Sequence, residues 1–160
     1  MRRTLASILA ISCLGPLGSP GAARAQVAAP PTNCIIVLDR AAAVTKTSTA
    51  VEKCGSASYL AAAAADRYQV MTWYAGANYG GWGESIYGKQ GPCDRQGYRL
   101  DTTNGLGYWS RNLSSYRVYD PCWFSAMTNN QGEYSDRSGD VPYVGDRFND
   151  NVASMRVWSR

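Results

Sequence analysis

A chain of 160 residues with 16 Lys and Arg against 12 Asp and Glu carries a formal net charge of +4 and has no histidine. The missing imidazole excludes Ser-His-Asp and Cys-His nucleophilic sites and any histidine-ligated zinc site. All 5 Trp, 11 Tyr and 2 Phe lie beyond residue 25, among frequent Gly, Asn, Asp and Ser, which is strand-and-turn chemistry.

At the N-terminus, Arg2 and Arg3 precede an apolar run over residues 5–14, the length of a signal-peptide core and too short to span a bilayer. Gly15, Pro16, Gly18 and Pro20 break any helix, and Ala23-Arg24-Ala25 supplies the small-x-small pattern before a cut at Gln26. Residues 1–25 are therefore expected to be a signal peptide, the mature chain secreted and extracellular, with no transmembrane span. Two alternatives stand beside this. A buried N-terminal helix is disfavoured by three positive charges without an acid. Lipidation at Cys13 is disfavoured by its lead Ala10-Ile11-Ser12. Cleavage removes Arg2, Arg3 and Arg24, so 13 bases face 12 acids and the net charge falls near +1. The remaining bases are scattered, unlike the concentrated face of a nucleic-acid binder, so no nucleic-acid partner is expected.

Residues 26–33, with Pro30-Pro31, read as an extended lead-in, and the β-branched run 34–38 as a strand. Residues 41–53 show no clean period. Ser56 or Ser58 caps a short helix ending near Asp66, or the alanine run 61–65 is a low-complexity linker. From Tyr68 onward, strands are expected over 69–75, 82–87, 97–101 and 114–119. A second set follows over 123–127, 132–135, 141–144 and 152–158. Eight short strands divided by Gly, Asn and Asp turns point to a sandwich or barrel.

An internal repeat sharpens this. Residues 109–119 (WSRNLSSYRVY) align without gaps to 148–158 (FNDNVASMRVW), agreeing in kind at seven of eleven positions at a separation of 39 residues. The two halves read as copies of one four-strand unit. Four cysteines remain after cleavage, and an even count in an exported chain points to two disulfides. Metal ligation is the alternative, against which stand the lack of C-x-x-C spacing and of histidine. Cys34 and Cys54 share the segment before the first unit, and Cys93 and Cys122 border first-unit strands, so the expected pairs are Cys34–Cys54 and Cys93–Cys122.

Tyr74-Ala-Gly-Ala-Asn-Tyr79-Gly80-Gly81, followed by a serine in the last strand of its unit, resembles the Greek-key signature of βγ-crystallins. Tyr74 and Tyr79 would cover a folded-over hairpin, Gly81 would hold a backbone conformation that a Cβ obstructs, and Ser115 or Ser154 would bond back onto it. The second unit keeps Gly132 but has Ser125 and Asn130 where aromatics belong. The resemblance covers residues 68–158 and is nearest to secreted bacterial members, among them the crystallin-like metalloprotease inhibitors of actinomycetes. It implies a mostly β, βγ-crystallin-like double Greek-key sandwich with a short N-terminal strand-helix extension. The extension would span 26–67 and the domain 68–160, with key one over 68–120 and key two over 121–160.

Family calcium sites resemble Asn/Asp-Asn/Asp-x-x-Ser/Thr-Ser, an oxygen-donor set that suits Ca²⁺. The first copy, Ser110-Arg111-Asn112-Leu113-Ser114-Ser115, keeps the hydroxyls but loses the leading pair. The second, Asn149-Asp150-Asn151-Val152-Ala153-Ser154, keeps the pair but loses a hydroxyl. Because family sites draw on both copies, Ser114 with Asn149 or Asp150, flanked by Asn112 and Asn151, is the candidate metal site, and Ca²⁺ the one cofactor allowed; none is required. The candidate inhibitory loop is Lys89, Gln90, Gly91, Pro92, Cys93, Asp94 and Arg95, stiffened by its cysteine. The acid pairs Asp136/Asp140 and Asp146/Asp150 sit among turn residues and read as solvated turn acids, not a glycosidase pair. The Gly-rich stretch 76–83 lacks the lysine of a phosphate cradle. The expected function is a secreted, non-enzymatic, monomeric protein, either inhibiting an extracellular protease or serving as a stable structural module. The alternative is a Ca²⁺-stabilised domain with one degenerate site.

Overall fold

The computed structural model describes residues 33–40, 47–103 and 106–160, so the expected signal peptide over 1–25, with Cys13, lies outside the described residues. The architecture is a mostly β, double Greek-key sandwich. One sheet has five strands in the order β2-β1-β4-β3-β6 and the other four in the order β5-β9-β7-β8. In chain order these are β1 (Cys34–Asp39), β2 (Thr49–Cys54), β3 (Tyr68–Tyr74), β4 (Gly83–Gly88), β5 (Tyr98–Asp101), β6 (Ser115–Val118), β7 (Phe124–Asn129), β8 (Tyr134–Ser138) and β9 (Val152–Trp158).

The strand Cys34–Asp39 is buried along five consecutive residues and runs parallel to β4. Its other neighbour, β2, was not expected. Thr49–Cys54 is an exposed edge strand whose polar residues give no apolar period, and its register is tied by the Cys34–Cys54 disulfide at the facing ends. Helix α1 (Ala57–Ala64) starts where the Ser56 hydroxyl accepts from Tyr59 N at 3.3 Å, and buries none of its residues.

Each four-strand unit gives its third strand to the other. Strands β3, β4 and β6 belong to the first unit, yet β5 pairs with β9 in the opposite sheet. Reciprocally, the segment around Val141 crosses to β6: Tyr116 N donates to Val141 O, Val141 N to Tyr116 O, and Val144 N to Ser114 O. A full strand was expected over 141–144. Only an isolated bridge forms, because Pro142 has no N–H to give the ladder. Between the sheets lies one core, with Trp73, Trp109, Tyr98, Tyr116, Leu113 and Met155 at 1 % exposure or less. Trp109 enters it from α2 (Gly107–Ser110), a single helical turn that the strand pattern did not announce.

Candidate functional site

In the first unit the chain between β3 and β4 folds back over the sheet. Residues 77–79 make one 3₁₀ turn, with Asn78 and Tyr79 at positive φ, and Gly76 N bonds to Gly80 O at 2.9 Å. Ser115, opposite Tyr74 in register, fastens the turn from beneath. Its hydroxyl donates to Gly76 O at 2.6 Å and accepts from Tyr79 N at 3.0 Å. Gly81 sits at φ 72°, where a Cβ would meet Gly76 N at 3.2 Å. Tyr74 and Tyr79 meet edge-on at 5.8 Å, and the Arg117 guanidinium caps the Tyr79 ring at 4.4 Å.

The second unit is built differently. Thr128 occupies the place of Tyr74 across from Ser154, and only residues 130–133 separate β7 from β8. Ser125, which the signature spacing places at an aromatic position, turns into the core and shares a hydrogen bond of 2.6 Å with the Tyr116 hydroxyl. Gly132 takes φ 81° in a tight turn closed by Asn129, whose side-chain oxygen accepts from Gln131 N and Glu133 N. This hairpin is too short to reach over Ser154, which has no side-chain partner among the described residues.

The two copies of the calcium-type segment do touch: Asp150 N donates to Leu113 O at 3.2 Å, one residue from Ser114. The buried Ser114 hydroxyl donates to Ala75 O at 3.1 Å and keeps its lone pairs, while the Asp150 carboxylate is exposed and accepts from the Asn149 amide. Asn112 and Asn151 do the same job in each copy. The amide of Asn112 donates to Tyr108 O at 2.7 Å, that of Asn151 to Arg147 O at 3.0 Å, each closing its own turn. One hydroxyl and one carboxylate are the donor types a hard cation takes; the Asn112 and Asn151 N–H groups close turns, and the Asn151 oxygen accepts from the Asn130 amide.

The loop following β4 is braced from several sides. Arg40 pairs with Asp94 at 2.6 Å and donates to Pro92 O; its backbone N donates to the Gln90 side chain. Asp39 accepts from Lys89 and Gln90, the Tyr98 hydroxyl donates to Gly91 O, and Arg156 donates to Arg95 O. Cys93 is buried and bonded to Cys122, whereas Lys89, Gln90, Pro92, Asp94 and Arg95 stay exposed. The Lys89 hydrogen bond is the first cause holding the Asp39 carboxyl below its usual range, opposed by desolvation.

Glu84 was not singled out from sequence. It is 1 % exposed on β4, one oxygen accepting from the Trp109 indole N–H at 2.5 Å and the other without a partner. Trp109 in turn stacks on Trp82 at 4.9 Å. Burial pushes the Glu84 carboxyl up to about 7, with the Trp109 bond opposing the rise and Glu52 adding to it. The signal was its phase: Glu84 alternates with Ile86 on the core face.

The chain is similar to solved βγ-crystallin domains from bacteria. That of Clostridium beijerinckii is 21% identical, covers 57% of this chain and 100% of its own, and superposes at a TM-score of 0.43. The domain of Flavobacterium johnsoniae is 25% identical over 57% of this chain and 96% of its own, at 0.40. Hahellin, a βγ-crystallin, is 14% identical over 57% of this chain and 93% of its own, at 0.41. No family model and no curated protein matches.

Proposed function

We propose that this protein is a secreted, non-catalytic βγ-crystallin-type module that works by presenting a stiff surface to another molecule. The observation that carries this is the braced loop 89–95. Seven hydrogen bonds or ion pairs from Asp39, Arg40, Tyr98 and Arg156, besides a disulfide, fix the loop backbone and the Lys89, Gln90 and Asp94 side chains. A loop ordered before binding escapes the entropy cost that a flexible peptide incurs. Two disulfides fit an oxidising compartment, and among the described residues no helix is long and apolar enough to cross a membrane.

Inhibition of an extracellular peptidase is the form of this function that the loop supports best. The test is to titrate the disulfide-bonded protein against thermolysin-like, subtilisin-like and trypsin-like enzymes, following residual activity and intactness together. Expected is loss of activity with the chain largely uncut. Rapid cleavage without inhibition would reduce the protein to a structural module. Calcium binding is a second reading, favoured by the contact between Asp150 and the Ser114 segment. Millimolar Ca²⁺ should raise the melting temperature by a few degrees over chelator, and Ser114→Ala should remove that rise. An unchanged melt would dispose of it.

A further inference from the structure

The outer face of β5, β9, β7 and β8 carries a small cleft where the first unit carries its tyrosine cover. Arg99 of β5 and Arg156 of β9 are directly opposite in register, as are Ser154 of β9 and Thr128 of β7, with Tyr134 of β8 closing the far side. Together they line a hollow of about 60 Å³. A water molecule's share of liquid volume is about 30 Å³, so the hollow suits one compact group.

Three features of this cleft stand unexplained by folding alone. Like charges directly opposite on a sheet repel. Here neither Arg99 nor Arg156 joins an ion pair among the described residues, whereas Arg40, Lys89, Arg117 and Arg147 all do. The Arg99 Nε is shielded from water and has no hydrogen-bond partner. An unmet charged donor of this kind is costly to leave unpaired. Third, the Ser154 and Thr128 hydroxyls have no partner among the described residues.

Arg156 is held in place already, donating to Gln96 O and Arg95 O and lying 4.5 Å from the Trp158 ring centre. Of the nearby acids, Asp101 accepts from Thr103 N and its hydroxyl, and Asp136 from the hydroxyl of Tyr134 at the cleft's far side. The internal repeat explains why the hollow exists. In the first unit the equivalent serine, Ser115, is fully buried beneath the folded hairpin, and the equivalent arginine, Arg117, rests on Tyr79. The shorter second hairpin leaves the corresponding serine and arginine uncovered.

We infer that this cleft is a binding site for a compact oxyanion, a sulfate or carboxylate group, held by Arg99 and Arg156 with the Ser154 and Thr128 hydroxyls as further donors. The planar guanidinium fork of Arg99 matches two oxygens of such a group, and two hydroxyl donors across one strand gap complete the set.

The test is a titration of the intact, disulfide-bonded ¹⁵N-labelled protein with sodium sulfate and, separately, sodium acetate. Sodium chloride of matched ionic strength is the control. Expected are saturable shifts of the Arg99 Nε–H signal and of the Thr128, Ser154 and Arg156 amides, absent in chloride. The sulfate and acetate arms tell a tetrahedral from a planar ligand. Arg99→Gln should weaken binding about tenfold, the scale of one charge-assisted hydrogen bond. Thr128→Val should weaken it less, and provides a second variant if Arg99→Gln folds poorly. Shifts that grow linearly and spread over Arg95, Arg137 and Arg160, or binding undiminished in both variants, would overturn the site.

Discussion

A carboxyl group at 1 % exposure, with one oxygen unpartnered, costs the fold free energy whenever it is charged, and Glu84 is such a group. Its folded-state pKa, about 7, lies above the usual 4.5, so between these values the folded chain binds a proton that the unfolded chain releases. Its favourable contribution is therefore fully present below pH 4.5 and lost as pH rises through 7. A difference of this size corresponds to roughly 3 kcal/mol. Glu84→Gln keeps an acceptor for the Trp109 indole and cannot ionise. Urea unfolding from pH 4 to pH 8 should show wild-type stability falling with pH and the variant's profile flatter, with the variant the more stable above pH 7. Parallel profiles would show that Glu84 does not titrate in this range. Ser115→Ala acts by another route. It leaves Tyr79 N and Gly76 O unsatisfied beneath the hairpin, and should cost about 1–3 kcal/mol, read from the denaturation midpoint. Ser154→Ala, with no partner to lose, should cost almost nothing in the same measurement.

The two hairpins show how element structure departs from a shared sequence pattern. Gly81 and Gly132 are both at positive φ, but a Cβ at 81 would press on Gly76 N, while one at 132 meets nothing within 4 Å. Gly81→Ala should therefore lower stability by more than Gly132→Ala, which carries only the left-handed cost of about 1 kcal/mol. Equal losses would mean that the fold-over in the first unit is not tightly packed. The alternating strands were legible because period-2 burial writes itself into the order of residues, as in β4 with Glu84, Ile86 and Gly88 inward. The edge strand β2 was illegible for the converse reason, since Thr49–Cys54 buries no residue fully and rests only Ala50 against the core, so it needs no apolar period. The repeat over 109–119 and 148–158 was visible, yet the role of its asparagine, bonding the carbonyl four residues back in both copies, required the turn geometry. The cleft between Arg99 and Arg156 was hidden altogether. It depends on a strand given from one unit to the other, which residue order does not state.

That exchange governs the behaviour of the whole molecule. Without β9, β5 has no ladder partner; without β6, the Val141 segment has none; and the Cys93–Cys122 disulfide joins the loop before β5 to the segment entering β7. The core residues Trp73 and Trp109 of the first unit belong to the same apolar cluster as Met127 and Met155 of the second. Neither unit retains a closed core alone, so the chain should unfold as one cooperative body. Calorimetry on the oxidised protein should give a single transition, with equal calorimetric and van't Hoff enthalpies. Replacing both Cys93 and Cys122 by Ala opens a cross-link separated by 29 residues and should cost about 3–4 kcal/mol, lowering the midpoint without splitting the transition. The sharper test is truncation. Residues 68–120 and 121–160, expressed separately, should each lack the dispersed amide spectrum of a folded sheet, because each would present an unfilled strand position and half a core to water. Two separable thermal transitions, or a well-dispersed spectrum from either fragment, would show that the strand exchange decorates two independent units instead of holding one molecule together.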